Sequence, residues 1–141
     1  MKETTIDSQP AEDFGKLLLR LVLGVLILLH GIAKVIGGPA FILKVATDAG
    51  LPAAFGYMVY IGEVLAPLLL IFGAWTRLAA LIIAVNMVFA IWLVHAAEVF
   101  TLNKQGGWSL ELQGMFLVTA IALVFLGAGR YSVAGRSGKL N

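Results

Sequence analysis

The chain has 141 residues, 60% hydrophobic and 13% charged, with a mean hydropathy of +0.96. A soluble globule of that composition would lack the polar surface to cover itself, so lipid is the expected solvent, and four spanning helices leave no length for a separate soluble domain. The pI near 9.1 comes from ten Lys and Arg scattered singly at helix ends, which argues against a nucleic-acid groove. The lack of cysteine excludes thiol–disulfide chemistry, a cysteine-held iron–sulfur cluster and covalently attached haem.

Residues 1–15 carry Glu3, Asp7, Glu12 and Asp13 against Lys2, with Pro10 as a breaker, and are expected to form a mobile cytoplasmic tail. The apolar run 17–37 follows a leader that is not net basic and precedes no small-residue cleavage site, so it reads as a retained helix rather than a signal peptide. Further runs at 51–75, 78–97 and 110–128 are each long enough for a hydrocarbon core of about 30 Å. Continuous runs of this kind call for helices. Between the first two, Pro39 suits a helix start and Gly50 a stop, while Phe41, Ile42, Val45 and Ala49 recur at helical spacing; a short helix lying in the membrane interface is expected. The stretch Gly73-Ala74-Trp75-Thr76-Arg77 predicts a tight turn and an antiparallel hairpin, and Trp108 marks the opposite surface. The reading is an all-α membrane protein, a four-transmembrane-helix bundle over residues 16–133 with a short interfacial helix between the first and second spans and a cytoplasmic tail at 134–141.

Placing both termini in the cytoplasm puts Lys2, Lys16, Arg20, Arg77, Arg130, Arg136 and Lys139 inside and leaves Lys34, Lys44 and Lys104 outside, the orientation favoured by positive charge. Counting about 1.5 Å per residue from the outer ends, His95, Glu98, Glu111 and Lys34 lie within roughly 5 Å of the boundary and His30 at about 10 Å. By the same count Glu63 and Asn86 lie about 16 to 18 Å down, where an unpaired carboxylate is expensive and faces a partner or a cavity. The pairs His30/Lys34, His95/Glu98 and Tyr60/Glu63 each share a helix face. Asn86 and His95 are half a turn apart on an ideal helix, so the two cannot both point into one site without a kink. Pro67, four residues after Glu63, frees a carbonyl on the same face.

Simpler readings compete. A hydrogen bond to a neighbouring helix accounts for His30 more readily than ligation. His95-x-x-Glu98 reverses the Glu-x-x-His order of di-iron bundles, so no metal ligand is assigned. His30 and His95 differ in depth, which counts against a haem between them. Gly127-Ala128-Gly129-Arg130-Tyr131-Ser132 follows no strand, so it reads as a helix cap with an interfacial Arg-Tyr anchor rather than a phosphate loop.

The series Arg20-x-x-x-Gly24, His30-Gly31-x-x-Lys34, Gly62-Glu63, Gly73-x-x-Thr76-Arg77, Gly107-Trp108-x-x-Glu111 and Gly127-Ala128-Gly129-Arg130-Tyr131-Ser132 resembles the DoxX family of small bacterial membrane proteins, over residues 15–133. The acid that the family usually carries shortly after that serine is absent, Ala134 standing in that region. The resemblance implies a bacterial inner-membrane protein related to membrane subunits of thiosulfate:quinone oxidoreductase, with patterned positions at Arg20, Lys34, Glu63, Arg77, Glu111 and Arg130.

The expectation that follows is a subunit of a redox complex that contributes to quinone binding or anchors a redox partner. Glu63 and His30 are the candidate catalytic residues, with His30 or Lys34 donating to a quinone oxygen and Glu63 or Glu111 handling protons. Tyr60 and Trp108 would flank the ring, with His95 and Glu98 in the same ligand layer, and Arg20, Arg77 and Arg130 would contact an anion or a partner. Quinone is the expected ligand, with no tightly bound cofactor. The expected partners are membrane lipid, a soluble or membrane redox enzyme and further copies of the chain, with no nucleic acid. Two alternatives stand beside this: a small transporter lined by Glu63 and Asn86, and a non-catalytic scaffold whose buried polar residues join helices. Whether the isolated chain is an enzyme is left open.

Overall fold

Twenty-nine consecutive residues, Gln9–Gly37, form the first helix, α1, in a computed structural model that describes residues 9–141. The helix starts eight residues ahead of the expected span. Residues 9–15, read as part of a mobile tail, are therefore helical, and the rest of that tail, residues 1–8, lies outside the described residues.

Four more helices follow among the described residues: α2 (Ala40–Asp48), α3 (Ala53–Phe72), α4 (Thr76–Val94) and α5 (Glu111–Leu126). There is no sheet among them, only an isolated bridge between Leu102 and Trp108. The short helix expected between the first two spans is α2. The chain turns between α3 and α4 over three residues, with Gly73 at φ +72° and Trp75 at φ +48°, so the expected tight hairpin forms. Gly127 still donates to the carbonyl of Leu123, and its φ of +71° then turns the chain out of α5.

Helices α1, α3 and α4 are each long and apolar enough to cross a bilayer, which makes this a multi-pass membrane protein. Helix α5 is apolar but only 16 residues long, shorter than the run 110–128 suggested. The core is a seam of small and branched side chains: Leu23 and Ile27 of α1, Ala66 and Leu70 of α3, Ala79, Ala80 and Ile83 of α4, Ala120 and Leu123 of α5. Lipid tails are as apolar as these residues, so close approach and dispersion hold the helices together, and alanine and glycine permit it. Gly24 is one such point, since a β-carbon there would fall 2.6 Å from Ile71 Cγ1.

The bundle has two unlike ends. At one, α2, the 3-10 turn Ala96–Glu98 and the loop closed by Leu102 and Trp108 cover the helix ends. At the other, the α3–α4 turn meets the segment that follows α5. That segment, which includes the expected tail 134–141, folds back instead of trailing away: Val133 N–H donates to the carbonyl of Phe72, and Arg77 N–H to that of Leu140. Asn141 is buried there and its side chain accepts from Thr76 N–H at 3.2 Å.

Candidate functional site

Helix α3 is regular neither at its start nor in its middle. It begins as a 3-10 turn at Ala53–Tyr57, becomes α at Met58–Tyr60, widens to a π-turn at Ile61–Leu65 and returns to α at Ala66–Phe72. A π-turn accommodates one extra residue and is common at functional sites. Glu63 is at its centre. The wide turn fits because a glycine stands at each close approach: Gly31 of α1 lies against the backbone of Glu63, and Gly62 of the turn itself lies against the side chain of Asn86 on α4.

The Glu63 carboxylate is 3% exposed as a residue and has two side-chain partners. Lys34 Nζ of α1 donates to Oε2 in a salt bridge, and Asn86 Nδ2 of α4 donates to Oε1 at 3.2 Å. Tyr60, one turn earlier on α3, donates its hydroxyl to the main-chain oxygen of Lys34 at 3.2 Å and so ties the lysine-bearing turn of α1 to α3. A lone carboxylate among apolar helices would be costly; a cation, an amide donor and a buried location make it a fixed polar centre.

Two cavities meet at this centre. The larger, about 470 Å³, lies between α2, α3 and α4; its floor is Lys34, Gly62, Glu63 and Asn86, and the rest of its wall is apolar. Phe41, Phe55, Met58, Phe89 and Val94 belong to that wall and are themselves exposed, so they form the mouth. The smaller, about 100 Å³, is on the other side of the Lys34–Glu63 pair and is lined by His30, His95, Gln113 and Phe116. His30 meets Phe116 edge-on, with ring centroids 6.0 Å apart. His95 follows the last residue of α4, with Nδ1 3.3 Å from Glu98 Oε2 and Nε2 3.4 Å from Gln113 Nε2.

The structure thus brings Glu63, Lys34, His30 and His95 to the two chambers, while Tyr60 and Glu98 line neither and are joined to that group through the Lys34 carbonyl and His95 Nδ1. Trp108 and Glu111 line neither cavity. Trp108 instead donates from Nε1 to the carbonyl of Val99 at 2.7 Å, closing the 99–110 loop, and the Glu111 carboxylate lies beside Gly107. The three arginines have separate fates. Arg20 is 1% exposed and donates to the carbonyl of Tyr131 at 2.7 Å, so it is a bolt inside the protein rather than a surface contact. Arg77 donates to the main-chain oxygens of Asn141, Val124 and Phe125 at 3.0, 2.7 and 2.9 Å. Arg130 is exposed and its guanidinium is 5.3 Å from the ring centroid of Tyr131. Asn86 joins the centre as a direct partner of Glu63. Gln113 was missed by the sequence reading, although a lone amide in the run 110–128 was the available signal.

Residues 15–96 match the sequence pattern of the DoxX family. A Bacillus subtilis protein named "Putative oxidoreductase CatD" is 28% identical over 116 residues, covering 82% of this chain and 81% of that protein. A Haemophilus influenzae protein named only "Uncharacterized protein" is 32% identical over 117 residues, covering 79% and 81%. No solved structure matches. The family pattern spans the helices that carry Lys34, Glu63 and Asn86, and the chain belongs to the DoxX family.

Proposed function

We propose that this chain binds a quinone as the membrane subunit of a redox system, with the quinone ring in the larger chamber. The observation that carries the reading is the contrast within that chamber: one polar floor, Lys34–Glu63–Asn86, under an apolar wall of about 470 Å³. That volume falls within the range of small-molecule sites, and a few convergent polar groups under apolar walls suit a ligand with a polar head and an apolar tail. Lys34 is the donor to a quinone oxygen, Asn86 a second donor, and Glu63 the group that exchanges a proton with the bound ring. The exposed aromatic mouth lets an isoprenoid tail leave toward lipid. The name of the Bacillus subtilis relative agrees with a redox role. In this reading α5 also crosses the bacterial inner membrane, both ends of the chain face the cytoplasm, and a redox enzyme is the partner that handles electrons.

Trp92 provides the test, because its ring centroid is 6.1 Å from that of Phe89 in the chamber wall. Titrating ubiquinone and menaquinone analogues into the purified protein should quench Trp92 saturably. Glu63→Gln and Asn86→Leu should each weaken binding about tenfold, the loss expected for a hydrogen bond that involves a charged group. A non-saturable response, equal in wild type and folded variants, overturns the reading.

A further inference from the structure

The smaller chamber differs from the larger one in chemistry. Half of its ten lining residues are polar or charged: His30, Lys34, Glu63, His95 and Gln113. A polar space of about 100 Å³ has room for about three waters at their liquid volume, and waters in such a space find the two to four partners they need. The chamber touches Glu63 at one side. At the other it reaches His95, whose Nδ1 lies 3.3 Å from the half-exposed carboxylate of Glu98.

We infer that the smaller chamber is a hydrated proton inlet that connects Glu63 to water at the α2 end of the bundle, with Glu98 and His95 at its entrance. The order of groups supports this direction. Glu98 is outermost, His95 is partly exposed, the chamber follows, and Glu63 closes it. A histidine offers two ring nitrogens, one toward each side, and can pass a proton on by accepting at one and releasing from the other. No bond other than N–H and O–H forms or breaks, and the proton lost by water at the entrance ends on Glu63 Oε. The groups that share the two chambers with Glu63 are Lys34 and His30 from α1, Asn86 from α4, His95 just after α4, and the neutral Gln113 from α5, with Tyr60 one turn away on the Lys34 carbonyl. The inference rests on the quinone reading only for where the proton goes next, and its test needs no quinone.

The native chain has no cysteine, so single thiols can be placed without background. Met87→Cys and Leu112→Cys each put a thiol on the smaller chamber, Ala84→Cys puts one in the dry core, and Lys104→Cys marks the membrane face of the 99–110 loop. Sealed vesicles of each orientation are treated with Ag⁺, quenched, and the thiols left are counted with a fluorescent maleimide after denaturation. Silver should block the two chamber thiols only from the face where Lys104→Cys is blocked, and Ala84→Cys should escape. Chamber thiols that react no faster than Ala84→Cys, or equally from both faces, overturn the inlet. The proton itself is followed by infrared spectroscopy after an acid jump, using the carboxyl band absent in Glu63→Gln. His95→Phe should slow the appearance of that band on the order of a hundredfold with its amplitude unchanged, the scale of a lost acid–base group. An unchanged rate overturns the role of His95. Failure of quinone titration with a working inlet would remove the ligand reading and leave this one standing.

Discussion

A β-carbon on Gly31 would stand 2.1 Å from the carbonyl oxygen of Glu63. The obstacle is backbone, so no side-chain rotation relieves it. Gly31→Ala must push α1 away from α3 and stretch the Lys34–Glu63 pair across the gap. Destabilisation should reach the upper part of the range of about 1–3 kcal/mol for overpacking, read as a lower unfolding midpoint in detergent. An unchanged midpoint would show that α1 does not approach the π-turn this closely.

Gly62 and Asn86 test the same region by compensation. A β-carbon on Gly62 would fall 2.5 Å from Asn86 Cγ and 2.6 Å from Asn86 Cβ, so only removal of the whole side chain makes room. Gly62→Ala alone should destabilise, and Asn86→Gly in the same chain, which removes both clashing carbons, should cost less than the two separate changes added together. The coupling energy from a double-mutant cycle should exceed about 0.5 kcal/mol. Additive effects would place Asn86 elsewhere.

Lys34→Met leaves the Glu63 carboxylate buried with Asn86 as its remaining side-chain partner. Breaking a buried pair from one side costs about 3–5 kcal/mol, and the low end applies because the Lys34 side chain is one-third exposed. Lys34→Met combined with Glu63→Leu should regain the unfolding midpoint, since the uncompensated charge is gone, yet bind no quinone analogue. Recovery of stability without recovery of binding separates the site from the scaffold around it.

Arg77 joins α4 to the main-chain oxygens of Val124 and Phe125 near the end of α5 and to that of Asn141 in the last segment. Arg77→Ala removes all of these bonds, and Arg77→Lys cannot reproduce a fork that reaches several carbonyls at once. Limited trypsin digestion should cut after Arg136 and Lys139 faster in both variants than in wild type. Equal digestion would mean that Asn141 and Ser132 hold the segment without Arg77.

What was readable in advance was mostly local. Continuous apolar runs marked the helices, Gly73 and Gly127 marked stops, and Pro39 with Gly50 bracketed α2. The Lys34–Glu63 pair was not foreseen, because depth along α3 was counted from residue 51 as if the helix were α throughout. The 3-10 turn Ala53–Tyr57 packs on α2, with Gly56 against the carbonyl of Ile42, so it belongs to the cap of the bundle. Counted from Met58, Glu63 is only about 8 Å down, within reach of a lysine. Helical counting did anticipate that Asn86 and His95 would not share one space. They line the larger and smaller chambers, and Glu63 lies in the wall between them. Arg20 escaped the reading for a nonlocal reason: the chain that covers it arrives from 111 residues away.

The π-turn also bears on how this architecture would be lost. It is a surplus of one residue in a helix that could otherwise run straight. Deleting any one residue from Ile61–Leu65 would let α3 close into continuous α-helix with the segments on either side kept on nearly their present faces, since the wide turn is what absorbs the extra residue. Tyr60 would stay near the Lys34 carbonyl and the 3-10 turn on α2, while the wide turn that presents Glu63 to both chambers would be gone. In a descendant that no longer needed the chamber, the mark left behind would be a missing residue in this helix rather than a replaced glutamate.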